Sequence, residues 1–436
     1  MDTDGRDAGT AHAPTAITPR RPGPPPPGPA PRPFGLPPDD FDRDPLASLN
    51  RLRREYGDVF AFAAGKVLVA RPAWAHWTLA RTNRDTRVDA PPLPPRFQRR
   101  PLIRGRVERW MAARRTAQWH RLGRDIAERT APLIRGRLGD FLDAAGDRPV
   151  RLPDCERAAL LAADRVFVHD MDDGLRARLF PAARLMLDEG AAAVTLPPWM
   201  SLRTRRRLRA NDLWIDALTA RVAGRRAERR EGDPALDMLD LLADARDDDG
   251  PVFDDVEIAQ TLSINLGNLY AVGGSGLGWL LAAHAAHDPA RPAGTDRAVW
   301  ASAVVKETLR LYPAVSLTSR NLVEDAGFGD VTVPAGTSVF VSPLMLHTDS
   351  RWWRDDPARF DPARWLGDDV HDPHAYIPYG SGPRVCTGVH IANAVLENAA
   401  DLLADRTAAG RPGPPLREWS AITRPRRLRV TVTPNA

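Results

Sequence analysis

The stretch YIPYGSGPRVCTGVHIANA, residues 376–394, places one cysteine, Cys386, between several glycines and the start of an apolar run. Gly380, Gly382 and Gly388 permit tight turns and a close approach of the backbone to a bulky, flat partner. The run after Cys386 has the pattern of a helix, and a thiolate at a helix N-terminus is stabilised by the helix dipole and by backbone N–H groups. The stretch therefore suits a metal ligand or a nucleophile, although a structural role in the turn is the favoured interpretation of an isolated cysteine.

Composition and charge indicate a folded, enzyme-sized protein. The chain has 436 residues, of which 43% are hydrophobic and 27% charged, as in soluble globular proteins. Its net charge is +5, and arginine supplies almost all of the positive charge. The basic run RTRRRLR at 203–209 has no interleaved aromatic residues, so a solvated helix face is favoured and nucleic-acid binding is not expected.

Cysteine usage and hydropathy predict the compartment. Cys155 and Cys386 lie in different contexts, so no disulfide framework is indicated and a reducing environment fits. No apolar run reaches the roughly 18 residues that a membrane span needs. The N-terminus lacks the basic and then apolar pattern of a signal peptide. We expect a cytoplasmic protein without a membrane anchor.

The order of the patterns predicts one large domain. Residues 1–37 are Pro-rich, and we expect a disordered tail. Residues 38–436 are predicted to form a single domain. Apolar residues at three and four spacing indicate helices from about 105 to 290, whereas strands are predicted early, near 61–71, and late, in FGDVTVPAGTSVFVSP and RPRRLRVTVTP. The expected fold class is mainly α with small β-sheets.

The string from Tyr379 to Gly388 resembles the haem-binding loop of the cytochromes P450. In that loop an aromatic residue, two glycines, a basic residue, a cysteine and a final glycine have these spacings, and Tyr379 replaces the usual phenylalanine. The resemblance covers roughly residues 38–432 and is strongest from 300 to 400. It implies the cytochrome P450 fold, haem b as the cofactor, Cys386 as the thiolate ligand of the iron, and Arg384 as a partner of a haem propionate.

Further residues match the family pattern at other places. Glu307 and Arg310 form its ExxR motif, which implies a structural lock with Arg364. Arg320 matches a propionate-binding arginine, and His120 and Arg124 match an HxxxR motif that reaches the haem edge. Arginine suits a carboxylate because its planar group binds two oxygens at once. The remaining histidines, such as His347 and those of HAAH at 284–287, suit satisfied or solvent-facing side chains better than metal ligands.

The helix expected over the distal face departs from the family. There the resemblance implies an acid followed by a threonine, but QTLSINLGNLYAVGGSGLGWLLAAHAAHDP, residues 260–289, contains no acid before Asp288. The threonine position falls near Val272 or Gly273, or at Leu277 if the glycines are aligned. Ser275 is the candidate proton relay. The glycines at 273, 274 and 276 indicate either room for a large substrate or a bulge in the helix.

Three functions remain open from the sequence. The first is a monooxygenase that oxidises a hydrophobic molecule of secondary-metabolite type, with electrons from a ferredoxin and a ferredoxin reductase. The second is atypical chemistry, such as radical coupling, desaturation, rearrangement or peroxide-driven oxidation. The third is a haem-binding protein that has lost oxygen activation. The intact loop around the cysteine favours the first two.

Substrate contacts are expected from four regions of the chain. These are the loop near 88–105, the helices around 190–215, and the segments 268–278 and 314–319. The candidate pocket residues are Tyr270, Gly273, Gly274, Val315 and Leu317.

Overall fold

The computed structural model describes most of the chain between residues 23 and 435. The described residues are 23–30, 38, 40–41, 44–87, 119–190, 202–230, 232–248, 250–367, 372–411, 422–425 and 427–435. Their α-helices are α1 Pro45–Tyr56, α2 Pro72–Ala80, α3 Trp119–Ala145, α4 Leu152–Phe167, α5 Asp173–Gly190, α6 Leu202–Glu228, α7 Met238–Ala243, α8 Asp255–Asn268, α9 Gly274–His287, α10 Arg297–Leu311, α11 Pro343–His347 and α12 Val389–Leu403. The prediction of a mainly α protein is confirmed.

The strands of the described residues are short and form one five-stranded sheet and three two-stranded sheets. The strands are β1 Val59–Ala63, β2 Lys66–Val69, β3 Thr86–Arg87, β4 Arg246–Asp247, β5 Gly250–Pro251, β6 Thr318–Leu322, β7 Ala326–Phe328, β8 Val331–Val333, β9 Ser338–Val341, β10 Arg406–Arg411 and β11 Arg429–Pro434. The five-stranded sheet has the order β1-β2-β9-β6-β3, and β2 and β9 are parallel. It therefore joins the early and late parts of the chain.

A central helical rod runs through the largest hydrophobic core. It consists of α8, a π-helical turn at Leu269–Gly273, and α9. Asp254 caps its N-terminus in a capping box with Glu257, and the left-handed Asp288, with φ 40°, ends it. Nearly all residues of α9 are buried, because other helices surround the rod. Among the described residues, no helix is long and apolar enough to cross a membrane.

Part of the Pro-rich N-terminal stretch lies against the sheet. The carbonyl of Pro27 accepts a hydrogen bond from the Ala61 N–H at 2.8 Å, and that of Pro24 accepts one from the Thr332 N–H at 3.0 Å. Proline lacks an N–H but keeps its carbonyl acceptor, so an extended Pro-rich segment can cover a strand edge. Residues 23–30 are thus held in place within the predicted disordered tail, whose other residues up to 37 lie outside the described part.

Candidate active site

The loop that carries Cys386 folds back on itself before α12 begins. The Cys386 N–H donates to the Tyr379 carbonyl at 2.9 Å, and the Val385 N–H donates to the Gly382 carbonyl at 3.0 Å. Gly380 and Gly382 have φ values of 74° and 73°, which favour glycine. Cys386 lies two residues before the N-cap Gly388, is exposed, and forms no disulfide. The thiol is therefore presented at the start of a helix.

The same loop is pressed against α2. A Cβ atom on Gly382 would lie 2.5 Å from the Ala80 Cα and 2.5 Å from the Leu79 carbonyl oxygen. A Cβ on Gly380 would meet open space. On the other side, the Tyr379 hydroxyl donates to Asn393 Oδ1 at 2.5 Å, and burial raises the pKa of this phenol. Gly382 thus permits a close backbone approach, and Tyr379 anchors the loop to α12.

A buried ion-pair network lies under the loop. Arg310 binds Glu307 through two contacts of 2.8 Å, and both residues are fully buried. Arg364 Nε donates to Glu307 Oε1 at 3.1 Å. The Trp365 indole N–H donates to the second carboxylate oxygen at 3.0 Å. The structure thus brings Glu307, Arg310 and Arg364 together, as the resemblance implied.

His347 connects this network to the cysteine loop. Its Nδ1 lies 3.1 Å from the Arg310 carbonyl, and its Nε2 accepts from the Ile377 N–H at 2.9 Å. Because a carbonyl can only accept and an amide N–H can only donate, these contacts define a neutral imidazole with the proton on Nδ1. His347 is fully buried. It is the satisfied histidine that the sequence favoured, and the link to the loop was not predicted.

Arg384 in the cysteine loop and Arg320 in β6 lie close together. Among the described residues, neither arginine has an acidic partner. Arg320 is 7% exposed; its Nε donates to Thr82 Oγ1 at 2.8 Å, and one terminal nitrogen donates to the Ser319 carbonyl. Burial and the positive charge of Arg384 lower the pKa of Arg320 to about 10. The Nε of Arg384 is buried and has no hydrogen-bond partner in the described part of the protein. This pair favours binding of an anionic group.

The other proposed haem-edge residues lie at the start of α3. His120 is in the first turn of that helix, and its side chain lies outside the described residues. Arg124 is exposed. Their role toward a propionate stays a prediction.

Within the described residues, one face of the central helix carries a row of exposed or partly exposed side chains, which we call the open stripe. Asn265 and Val272 are partly exposed and Asn268 is exposed, although almost all of their neighbours are buried. These positions recur at three and four spacing and lie on one helix face. At one end of this stripe, Thr387 Oγ1 donates to Asn265 Oδ1 at 3.3 Å. The open stripe and the exposed Cys386 thus border the same region.

Of the two interpretations left open for the glycines, the bulge is present, as the π-turn at Leu269–Gly273. Gly274, however, lies against α4, because a Cβ there would come 2.4 Å from the Glu156 Cα. Tyr270 packs on Phe180, with ring centroids 6.3 Å apart, and its phenol hydrogen-bonds Glu156. Both residues therefore face the neighbouring helices α4 and α5, whereas Gly273 is partly exposed.

Ser275 and Glu156 contact the C-terminal segment. Ser275 is fully buried, and its hydroxyl donates to the Thr423 carbonyl. Glu156 forms an ion pair with Arg424. Burial raises the pKa of Glu156, and the hydrogen bond and charge of Arg424 oppose this effect. The structure places these polar groups between α4, α9 and residues 422–425.

Two other pocket candidates lie before the main sheet. Val315 is partly exposed and forms an isolated bridge with Ile422. Leu317 packs at the border of the cluster that contains Phe60 and Phe340. Residues 88–105 and 191–200, also expected to contact substrate, lie outside the described part.

Comparison with known proteins finds a match to part of the sequence. Residues 300–399 match the family model described as Cytochrome P450. The chain is 42% identical over 93 residues to "Cytochrome P450 734A5" of Oryza sativa subsp. japonica, which covers 20% of this chain and 17% of that protein. It is 43% identical over 93 residues to "Putative cytochrome P450 CYP13A10" of Caenorhabditis elegans, which covers 20% and 18%. The chain thus matches less than a fifth of the length of these curated relatives.

Solved structures extend the likeness to nearly the whole chain. "Retinoic acid bound cyanobacterial CYP120A1" has a TM-score of 0.75 and 21% identity, and covers 95% of this chain and 100% of that chain. "Crystal structure of cytochrome P450DA heme domain" has a TM-score of 0.75 and 17% identity, and covers 95% and 98%. Residues 300–399 thus match the cytochrome P450 family, and the chain shares the fold of these solved cytochromes P450. The predicted cytochrome P450 fold is confirmed.

Cytochromes P450 bind haem, iron protoporphyrin IX, and the residues of this chain fit that group. Cys386 supplies an exposed thiol at the start of α12, as an axial thiolate ligand requires. The buried, unpartnered Nε of Arg384, next to Arg320, is complementary to carboxylates. In this chain, Cys386 would hold the iron and the two arginines would hold the propionates.

Proposed function

We propose that this protein is a haem-thiolate monooxygenase that oxidises a hydrophobic small molecule of secondary-metabolite type in the cytoplasm. Electrons would come from a ferredoxin and a ferredoxin reductase. The observation that carries the proposal is the exposed Cys386 thiol, held by a glycine loop beside the buried Arg320 and the partly buried Arg384. Bound haem supplies redox chemistry and oxygen activation, which the side chains of the chain do not supply by themselves.

The chain positions the thiolate through backbone contacts. The Cys386 N–H is bonded to Tyr379, and the loop is supported by Gly382 against α2 and by His347 from below. Each contact removes freedom from the loop, so the sulfur keeps one position relative to the central helix. The open stripe on that helix leaves an apolar and amide-lined surface for a hydrophobic substrate.

Proton delivery is the step in which the chain departs from its family. The place expected for the threonine falls near Val272 or Gly273, which are partly exposed, or at the buried Leu277, and no carboxylate occurs between Glu257 and Asp288. The hydroxyl proton of Ser275 is already donated to the Thr423 carbonyl. Within the described stripe, the Asn268 amide is an exposed polar group that can order water. A substrate hydroxyl is the other candidate relay.

This arrangement favours a second candidate function, atypical P450 chemistry that needs no acid and threonine. Radical coupling, desaturation, rearrangement and peroxide-driven oxidation belong to this class. A protein that binds haem without oxygen activation is the third possibility, and the intact buried network under the loop favours it less.

The first experiment tests the ligand. The reduced, CO-treated protein is expected to show the absorption band that gives the family its name, and Cys386→Ala is expected to abolish it. Cys155→Ala is the matched control, because Cys155 is fully buried and its pKa is raised by that burial. Persistence of the band in Cys386→Ala would disprove the assignment.

The second experiment separates the candidate reactions. The protein is supplied with surrogate ferredoxin, reductase and NADPH, together with terpenoid, polyketide and cyclic-peptide substrates, and in parallel with hydrogen peroxide. Incorporation of oxygen-18 from dioxygen supports the monooxygenase. Product made with peroxide alone supports atypical chemistry, and no turnover under any condition supports the binding protein.

A further inference from the structure

A hydrogen bond joins the central helix to the residue that follows the cysteine. Thr387 Oγ1 donates to Asn265 Oδ1 at 3.3 Å, and the two residues are 122 positions apart in the chain. Thr387 is the direct neighbour of Cys386, and Asn265 lies on the open stripe. The bond thus joins the central helix to the residue next to the proposed haem ligand.

The Asn265 amide is held in the orientation that this bond requires. Its Nδ2 donates to the Thr261 carbonyl at 2.8 Å, one turn earlier in α8. Because a carbonyl accepts and cannot donate, the nitrogen must point toward Thr261, and the oxygen is left to accept from the Thr387 hydroxyl. Helix α8 therefore presents a fixed acceptor to the cysteine loop.

The other anchors of the loop come from different directions. His76 Nδ1 lies 3.1 Å from Ser381 Oγ, and Gly382 rests on the backbone of α2. Tyr379 binds Asn393 in α12, which follows the loop. These contacts hold the part of the loop before Cys386 and the helix after it. The contact of Asn265 with Thr387 instead joins the residue after Cys386 to helix α8.

We propose that Asn265 is a positioning residue, which acts through Thr387 to set the position of the Cys386 sulfur relative to the central helix. The inference rests on the proposed role of Cys386 as the haem ligand. The side chain of Asn265 is held by α8, and loss of the bond lets the segment after Cys386 move away from that helix. The sulfur then samples more positions, and the thiolate ligand is exchanged more easily for a protonated or alternative ligand.

The test is a double-mutant cycle on the haem-loaded protein. Thr387→Val removes the hydroxyl at nearly constant shape, Asn265→Ala removes the acceptor, and the third variant combines both changes. Hydrogen exchange of the peptide that covers residues 379–388 is followed by mass spectrometry. Each single variant is expected to speed exchange about three- to tenfold, as expected for one net hydrogen bond. The double variant is expected to be no faster than the faster single variant.

A spectroscopic readout distinguishes positioning from general stability. The rate at which the reduced CO band of the thiolate form is lost should rise in Thr387→Val and Asn265→Ala, at an unchanged midpoint of thermal unfolding. Thr387→Ser keeps the hydroxyl and should restore wild-type rates. Asn268→Ala is the matched control, since that asparagine lies one turn away on the same stripe. It should leave loop exchange unchanged.

Two results would overturn the inference. One is additive exchange rates in the double variant, and the other is a Thr387→Val protein with the exchange and band stability of Thr387→Ser. A failed inference is distinguishable from a failed function, because the wild-type CO band and its loss in Cys386→Ala test the ligand without any change at Asn265 or Thr387.

Discussion

At the scale of single residues, the candidate site depends on a buried carboxylate, Glu307, and the buried arginines that bind it. Glu307 and Arg310 are three apart on a helix, a spacing that usually gives a weak surface pair. Here both are fully buried, and Glu307 is also bonded to Arg364 and the Trp365 indole. A buried carboxylate with this many partners is stable only while all of them are present.

Removal of one charged partner should therefore lower the free energy of unfolding of the protein. Glu307→Ala leaves Arg310 and Arg364 buried without a counter-ion, and we expect the free energy of unfolding to fall by about 3–5 kcal/mol. Denaturant unfolding of the haem-loaded protein measures this loss. Arg359→Ala is the control: its side chain is 67% exposed in an ion pair with Asp361. The loss there should be much smaller, because water and salt screen an exposed ion pair. Equal losses for the two variants would contradict the buried lock.

At the scale of elements, the central helix is shaped by its glycines. The π-turn ends at Gly273, and Gly274 lets α9 cross α4 at short distance. The sequence left two readings for these glycines, space for a substrate or a bulge. The bulge is present, and the space above Gly274 is filled by the backbone of Glu156. Glycine is therefore required there for helix packing, a role that depends on which helix lies opposite.

Two neighbouring glycines give a matched test of this packing. Gly274→Ala would place a Cβ 2.4 Å from the Glu156 Cα and 2.9 Å from its backbone nitrogen, so we expect a loss of about 1–3 kcal/mol in unfolding free energy. Gly276→Ala would place a Cβ 3.5 Å from the Leu396 side chain, an ordinary contact. Because alanine favours helix by up to about 1 kcal/mol, this second variant should be neutral or more stable. Thermal unfolding compares them, and an equally tolerated Gly274→Ala would contradict the close crossing.

At the scale of the whole molecule, contacts between distant parts of the chain hold the site together. Strand β2, near residue 67, pairs with β9, near residue 339, and Pro24 and Pro27 reach two separate strands of the sheets. Helix α2 supports the cysteine loop from more than 300 positions away, and there the rings of His76 and His374 stack 4.0 Å apart. The geometry of the loop therefore depends on the folded state as a whole.

This stacked pair should make stability depend on pH. Burial, and then the nearby His374, lower the pKa of His76 below its ordinary value of 6.5. As pH falls through 6.5, the unfolded chain takes up a proton at this position before the folded protein does, so acidification favours unfolding. Well above pH 6.5, His76 does not contribute to the pH dependence of stability. At low pH its contribution levels off, because His76 is then protonated in the folded protein as well. His76→Asn should reduce the decrease in melting temperature between pH 7.5 and 5.5, measured by calorimetry. An unchanged pH dependence would show that other groups cause it.

The sequence by itself predicted the fold class and the resemblance to the cytochromes P450, and it singled out the cysteine loop of the candidate site. Cys386, Arg384, Glu307 and Arg310 lie in short motifs whose chemistry depends on local spacing, so the residues can be recognised without a structure. Arg364 and Arg320 could be placed by the resemblance alone, because their partners are distant in the chain.

Only the tertiary structure decided which surfaces meet. It placed Ser275 on the Thr423 carbonyl, Gly274 on Glu156, and Asn265 on Thr387, and it showed the open stripe through Asn268 and Val272. Helical periodicity shows that residues share a face, but it does not show what packs against that face. The physical reason is that burial and hydrogen-bond partners are set by chain segments more than a hundred residues apart, which no local pattern encodes.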